Sequence, residues 1–345
     1  MNMKHVVPPS LTKLVSSWLT VSLLFVSGQA VLLYGALAGL LIIGSFFTAF
    51  FLSIPFLSLL NARDKDSPVL AVLNKALFLE SFSIHFFIVC LIFDAALSYI
   101  PTLSLISILV ILFFLILFLG KKVDIITTLK MALLLSLAIL LPNYNYLQKG
   151  LETVYHNLLH YHPKFLHLEQ NGALLLFFLL VATFFSKFIV QLPLLEKYVE
   201  VQLWRGLRKI LIGTFIWATI ILAFSTMTLV SFTHIRPLEF ERNFFMMLDN
   251  QMGKAFIMTV LLCLIISSLI EMYGACRIIK RTRGHWKALL IGIGAILGGY
   301  YYFSEFSIFY IFLAFGGGMF LLCILHLLSL IHHKNIKIRK INANE

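Results

Sequence analysis

The sequence predicts an all-α integral membrane protein, and two observations lead to this prediction. The 345-residue chain is 60% hydrophobic and only 12% charged, with a mean hydropathy of +0.96, which is far more apolar than a soluble domain. Apolar runs of roughly 18 to 25 residues recur along it, long enough to cross a hydrocarbon core of about 30 Å. No segment between these runs is long enough for a second domain, so we expect one transmembrane domain over residues 1–345.

Ten membrane spans follow from the apolar runs and from the residues that interrupt them. The first run is too long for the core of a signal peptide and is expected to be a retained helix. The spans lie near 14–34, 37–60, 76–98, 101–120, 124–142, 172–195, 209–231, 255–276, 286–303 and 306–331.

The distribution of lysine and arginine sets the predicted orientation, because basic residues favour the cytoplasmic side of a membrane. With the amino terminus inside, 21 of the 27 basic residues, Lys130 among them, belong to cytoplasmic segments. Lys187 lies within the sixth span, and five basic residues face outside: Lys149, Lys164, Arg236, Arg242 and Lys254. Both termini are therefore expected in the cytoplasm. The net charge of +12 is explained by basic loops that face anionic lipid headgroups, with no need for nucleic acid.

The spans divide into two halves of five around the longest predicted loop, residues 143–171. An odd number of spans in each half means that the second half begins on the opposite side of the membrane, as in inverted repeats. The first repeat covers about 14–142, the second about 172–332, and residues 333–345 form a cytoplasmic tail. Spans one and six then correspond, and both are interrupted by small or polar residues: Ser27-Gly28-Gln29 in the first, and Ser186-Lys187, Gln191 and Pro193 in the sixth.

These matched interruptions indicate a binding site made from broken helices, whose freed backbone groups can hold a substrate or an ion. We predict that the first span is unwound at Ser27-Gly28-Gln29, and that the sixth bends or breaks just beyond Lys187 because Pro193 cannot donate a backbone N–H. The alternative is that the small and polar residues only allow helices to pack closely.

Three stretches carry a resemblance to a bacterial family. They are LFVSGQAVLLYGALAGLL in the first span, QLPLLEKYVEVQLWRGLRKILIG after the sixth, and IRPLEFERNFFMMLDNQMGKAF running into SSLIEMYGACRII in the eighth. Over nearly its whole length the chain resembles the YkvI-like membrane proteins, relatives of the amino acid–polyamine–organocation transporters. The resemblance implies the LeuT-type fold, a 5+5 inverted repeat in which broken spans one and six form the substrate site and spans one and eight hold a coupling ion.

The resemblance implies a secondary transporter in a bacterial cytoplasmic membrane, which moves a small amino-acid-like or amine solute coupled to a cation. The residues expected to bind the substrate are Ser27, Gly28, Gln29, Ser186, Lys187 and Gln191, and those expected to bind the coupling ion are Ser267, Ser268 and Glu271. The chain departs from the family pattern at Ala30, Ser186-Lys187 and Ser267-Ser268, where the family favours an acidic residue, a Tyr-Asn pair and threonines. These departures favour an alternative, a receptor or assembly subunit that keeps the fold without transport.

Glu271 is the strongest ionisable candidate within a span. It lies about 9 Å inside the end of the eighth span if that span ends at Arg277, and Ser267 shares its helix face at i, i+4. With Ser268 close by, these groups suit a small cation or a proton; the alternative is that the serines bond to their own helix. Because Lys187 has a similar depth, we predict a buried Lys187–Glu271 ion pair. The alternative is that Lys187 reaches the membrane interface by snorkelling.

Other polar residues in the spans have plainer interpretations. Glu80, Asp94 and Glu305 are expected near the headgroup layer, and His85 is expected to be a packed, hydrogen-bonded histidine or else a proton relay. Gly316-Gly317-Gly318 is interpreted as a close-packing or hinge site, because it lacks the strand and the Lys-Ser/Thr of a phosphate loop.

The outer loop is rich in histidine, with His156, His160, His162 and His167. Zinc binding and pH sensing are possible uses of such a cluster, but the loop lacks cysteines, so an amphipathic surface segment is expected. The chain contains no HExxH, GxSxG or nucleotide-binding fingerprint. We therefore expect no enzyme, no cofactor and no metal. The expected partners are the lipid bilayer, a small-molecule or ion substrate, and a membrane partner subunit in the receptor alternative.

Overall fold

The structure is a computed structural model that describes residues 10–57, 68–96, 123–150, 172–199, 203–231, 253–279 and 307–342, with residues 152, 153, 155, 156, 159 and 244. Within these ranges the chain forms nine α-helices. The helices are α1 (Leu11–Trp18), α2 (Val21–Tyr34), α3 (Ala38–Leu57), α4 (Pro68–Ala96), α5 (Val123–Lys149), α6 (Ala173–Val199), α7 (Leu203–Ser231), α8 (Lys254–Ile279) and α9 (Ile308–Asn342).

Seven of these helices, α3 to α9, are long and apolar enough to cross a membrane, and α1 with α2 forms an eighth span if the bent pair is counted as one. The chain is therefore a multi-pass helical membrane protein. Each predicted span with described residues corresponds to a helix or to the bent pair. The fourth and ninth predicted spans, near 101–120 and 286–303, lie outside the described residues, so the count of ten stays a prediction.

The first span is broken, but not where the sequence predicted. Residues Ser27-Gly28-Gln29 lie inside the continuous helix α2, where the Ser27 hydroxyl donates to the Leu24 carbonyl. The break lies at Leu19 and Thr20, two consecutive residues with extended backbone, and it bends the span by 50°. The prediction failed because a glycine flanked by packed helices loses its access to water, and the helical hydrogen bonds are then the best available to it.

The sixth span does not break beyond Lys187, so that part of the prediction is wrong. Helix α6 runs from Ala173 to Val199 and passes through Pro193 without a break. Helices α3 and α5 likewise continue through Pro55 and Pro142. A proline in a membrane helix removes one backbone donor, and neighbouring groups can satisfy the freed carbonyl, so a proline alone does not end such a helix.

An aromatic cluster packs around the break in the first span. Phe46 of α3 stacks on Trp217 of α7 with ring centroids 3.9 Å apart. Trp18, the last residue of α1, meets Phe46 and Phe188 edge-on at 5.5 and 5.8 Å. Phe184 of α6 contacts both Phe46 and Trp217 at 5.2 and 5.7 Å. These five rings are all buried, and they hold α1 against α3, α6 and α7.

Most contacts among the described helices can be matched between the two predicted repeats. The contact of α3 with α6 matches that of α7 with α1 and α2. The contact of α1 with α5 matches that of α6 with α9, and the contact of α4 with α9 matches that of α8 with α5. The neighbours α2 and α3 are in contact, as are α6 and α7, and α4 touches α6 as α8 touches α2. Two further contacts, α4 with α8 and α3 with α7, join helices of equal position in the two predicted repeats. The contacts of α5 with α7, and of α2 with α4 and α9, have at most weak counterparts among the described helices.

Candidate functional site

A cavity of about 250 Å³ lies beside the break in the first span. It is lined by residues of α1, α2, α3, α4, α6, α8 and α9, and by Thr20 between α1 and α2. Its polar lining residues are Ser17, Thr20, Ser22, Glu80, Ser81, His85, Lys187, Gln191 and Glu271, and its aromatic ones are Trp18, Phe46, Phe184, Phe188 and Phe312. A largely apolar cavity with a few convergent polar groups is typical of a small-molecule site.

Lys187 forms an ion pair across this cavity, but with Glu80 and not with Glu271. Its Nζ lies 2.7 Å from Glu80 Oε1, and the exposed fractions of the two side chains are 23% and 3%. The same Nζ stands 4.0 Å from the centre of the Phe312 ring, in cation–π contact. The predicted Lys187–Glu271 pair is therefore wrong, and so is the snorkelling alternative, because the ammonium ends at a buried carboxylate.

Glu271 pairs instead with Lys130 of α5, at 2.5 Å between Nζ and Oε1. Lys130 Nζ also donates to the backbone carbonyl of Ser16, in the last turn of α1. The charge count had assigned Lys130 to the cytoplasmic side, but only 6% of its side chain is exposed. This lysine joins α5, α8 and the short helix before the break.

Two tryptophans hold the backbone at the break. Trp18 Nε1 donates to Gln191 Oε1 of α6 at 2.9 Å. Trp217 Nε1 donates at 3.3 Å to the carbonyl of Trp18, whose oxygen would accept from Ser22 N in a continuous helix. The break thus has side-chain partners from α6 and α7, and Gln191, a predicted substrate-binding residue, is one of them.

The structure brings together only some of the predicted site residues. Lys187, Gln191 and Glu271 line the cavity. The others are buried within single helices and are not among its lining residues: Ser27, Gly28 and Gln29 in α2, Ser186 in α6, and Ser267 and Ser268 in α8.

The hydroxyls of these serines differ in their partners. Ser186 donates to the Thr183 carbonyl of its own helix, as the close-packing interpretation expects. The Oγ atoms of Ser267 and Ser268 are fully buried and have no hydrogen-bond partner within the part of the chain that the structure describes. Their hydroxyls therefore do not bond back to α8, contrary to the alternative interpretation.

Glu80 and His85 are functional candidates that the sequence prediction undervalued. Helix α4 begins at Pro68 and not near residue 76, which places Glu80 about 18 Å from that end. Glu80 and His85 are each 2% exposed, and His85 Nδ1 lies 2.6 Å from the Ser81 carbonyl. The signal in the sequence was a carboxylate and an imidazole five residues apart in one apolar run. Asp94 also lies in α4, and Glu305 lies outside the described residues.

The histidine-rich loop is described only in part. His156 lies 3.9 Å from Glu152 with both side chains mostly exposed, and His160, His162 and His167 lie outside the described residues. Within the ranges that the structure covers, no group of three or more His, Cys, Asp or Glu side chains could hold a metal ion.

The fold and the cavity together define a multi-pass helical membrane protein with two ion pairs beside a broken span. Comparison of the chain with protein-family models, with curated proteins and with solved structures finds no match. The relationship to the YkvI-like proteins stays a prediction from the three sequence stretches that resemble that family.

Proposed function

We propose that this chain is a secondary transporter of LeuT type, which moves a small amino-acid-like or amine solute coupled to a cation. The observation that carries the proposal is the cavity at the break of the first span, where Lys187 and Glu271 meet partners from other helices. An interrupted helix beside a cavity is how membrane transporters expose backbone groups to a substrate. We place the protein in a bacterial cytoplasmic membrane with both termini inside.

The packing of the helices supports the inverted repeat. The predicted spans are numbered one to ten, and each span of the first five has a counterpart five places later. When every span is replaced by its counterpart, one contact of each matched pair becomes the other contact of that pair. The same exchange leaves the contacts of α4 with α8 and of α3 with α7 unchanged. Two halves that fold alike and insert with opposite orientation give this relation. The break in the first span, without one in α6, makes the two halves unequal at the cavity.

Lys130 bears on the nature of the coupled cation. Its ammonium group lies between the Ser16 carbonyl and the Glu271 carboxylate, two oxygens that would otherwise suit a metal cation. A sodium ion at Glu271 would have to displace this lysine. We therefore propose the proton as the coupled cation, with Glu271 and Lys130 as the groups that exchange it.

Uptake into sealed liposomes tests the proposal. Purified protein is reconstituted and supplied with pooled amino acids and amines under an imposed proton gradient, an imposed sodium gradient, or neither. We expect uptake that depends on the proton gradient and that is lost in Glu271→Gln. Exposed Glu152 provides the matched control, because Glu152→Gln should transport normally. Absence of uptake under every gradient would refute the transporter.

A second candidate is a receptor or assembly subunit that keeps the fold without transport. It is favoured by the pairing in the cavity, since both of its described carboxylates, Glu80 and Glu271, already have a lysine partner. Such internally neutralised charges stabilise one resting conformation. Copurification in mild detergent with a stoichiometric membrane partner, together with solute binding and no uptake, would favour this candidate.

A further inference from the structure

The surroundings of the Lys187 ammonium are those of a binding site for an organic cation. A buried carboxylate oxygen lies 2.7 Å from its nitrogen on one side, and the face of Phe312 lies 4.0 Å away on the other. A carboxylate combined with an aromatic face is the usual chemistry for recognition of an ammonium group. Here the occupant of that site is a side chain of the protein itself, on a flexible four-carbon stem that borders the cavity.

Two buried acceptors of residues that line the same cavity have no donor among the described residues. Glu80 Oε2 and His85 Nε2 belong to residues that line the cavity, and they lack a hydrogen-bond partner among the described residues. The tautomer of His85 follows from its other nitrogen: the Ser81 carbonyl can only accept, so Nδ1 carries the proton, and Nε2 of the neutral ring is an acceptor. A buried acceptor without a donor is unfavourable, so both atoms favour a ligand rich in N–H groups.

We propose that Glu80, His85 and Phe312 form a subsite for the primary ammonium group of a small organic amine, and that Lys187 occupies it in the absence of solute as a tethered competitor. The inference rests on the proposed function for its role in transport, and it narrows the solute to primary amines. The N–H groups of the solute donate to Glu80 and to His85 Nε2, and its hydrocarbon part lies among the aromatic rings of the cavity.

Charge balance requires that Lys187 leave when the solute binds. Glu80 and Lys187 neutralise one another, and a second ammonium beside them would leave a net positive charge among apolar walls, which is unfavourable. A tethered group competes at an effective concentration that is millimolar or more, so its removal should tighten amine binding on the order of tenfold or more.

Binding of butylammonium to the purified full-length protein tests the subsite, measured by calorimetry and by the shift in thermal unfolding. Tetramethylammonium has the same charge but no N–H donor, and butyrate has a similar chain with the opposite charge. We expect butylammonium to bind at least about tenfold more tightly than either, which corresponds to about 1.4 kcal/mol. Equal binding of tetramethylammonium, stronger binding of butyrate, or no binding of butylammonium would overturn the proposal.

Variants of the pair test the role of Lys187. Lys187→Met should bind butylammonium about tenfold more tightly than the parent, and Lys187→Met with Glu80→Gln should not bind it. Lys209, an exposed lysine of α7, gives the control, since Lys209→Met should leave affinity unchanged. A folded Lys187→Met with the parental affinity or a weaker one would overturn the competitor role. If Lys187→Met does not fold, the ranking of the three probes on the parent protein decides.

The outcome is separable from that of the transport proposal. Selective butylammonium binding without uptake into liposomes keeps the subsite and refutes the transporter. Uptake of a solute that has no amine, with no preference for butylammonium, keeps the transporter and refutes the subsite.

Discussion

Substitution of Gly316 by alanine should separate α9 from α6. A Cβ at this position would stand 2.1, 2.3 and 2.6 Å from Oγ1, Cγ2 and Cβ of Thr183, where ordinary contact begins near 3.4 Å. Rotation of the threonine side chain does not relieve the clash, because Cβ moves only with the backbone. The two helices must therefore move apart, and α6 carries Lys187 one turn further on.

The magnitude follows from overpacking and from helix propensity. Forcing a methyl group into a packed contact costs about 1–3 kcal/mol, and three atoms within 2.6 Å place this site at the upper end. Alanine regains about 1 kcal/mol of helix propensity over glycine. At the neighbours Gly317 and Gly318, an added methyl group would have no described atom within 4 Å, so alanine there keeps the propensity gain without the clash.

Thermal unfolding in detergent, followed by tryptophan fluorescence, provides the assay. One kcal/mol corresponds to about 2–4 °C for a domain of some 200 residues. We expect Gly316→Ala to lower the unfolding temperature by a few degrees, and Gly317→Ala and Gly318→Ala to leave it unchanged or to raise it. Equal effects at all three glycines would refute the packing argument, and a loss at Gly318 alone would contradict it directly.

Three further predictions concern the ion pair, the break and the topology. Lys130→Met and Glu271→Gln should each destabilise the protein by about 3–5 kcal/mol, with most of the loss recovered in the double variant; additive losses in denaturant unfolding would contradict the pairing. Trp18→Phe keeps an aromatic ring but loses the hydrogen bond to α6, which contributes about 0.5–1.5 kcal/mol to stability. Amide hydrogen exchange in α1 should therefore become faster, and unchanged exchange would show that the bond does not hold the helix. An impermeant maleimide should label a cysteine placed in residues 143–171 from outside but not one in 277–286, and the reverse pattern would invert the topology.

The class of fold could be predicted from the sequence because it depends on a local property. Apolar runs of membrane length must form helices, since the bilayer offers backbone groups no other partner. Of the three glycines interpreted as a close-packing or hinge site, only Gly316 has a close contact among the described residues, with Thr183 of α6. A glycine in an apolar helix allows an approach that a larger residue would block.

The position of the break and the partners of the charges could not be predicted because they depend on contacts between distant helices. The local sequence indicates residues 27–29 as the weak point of the first span. The break at Leu19 and Thr20 is instead held by the hydrogen bonds of Trp18 to α6 and of Trp217 of α7 to Trp18, which no local pattern reveals. The predicted Lys187–Glu271 pair depends on the similar depth of the two residues alone. Depth does not determine which helix faces which, and Glu80 of α4 stands opposite the lysine.

Both ion pairs of the cavity join a residue of the first half of the chain to one of the second. Lys130 precedes Glu271 by 141 residues, and Glu80 is likewise made before Lys187. At a translation rate of about 5–20 residues per second, Glu271 is synthesised on the order of ten seconds after Lys130. The first half must therefore enter the membrane with unmatched charges and complete its assembly only when the second half arrives. Separately expressed halves should accumulate together and be degraded alone, because each supplies the charges that the other needs.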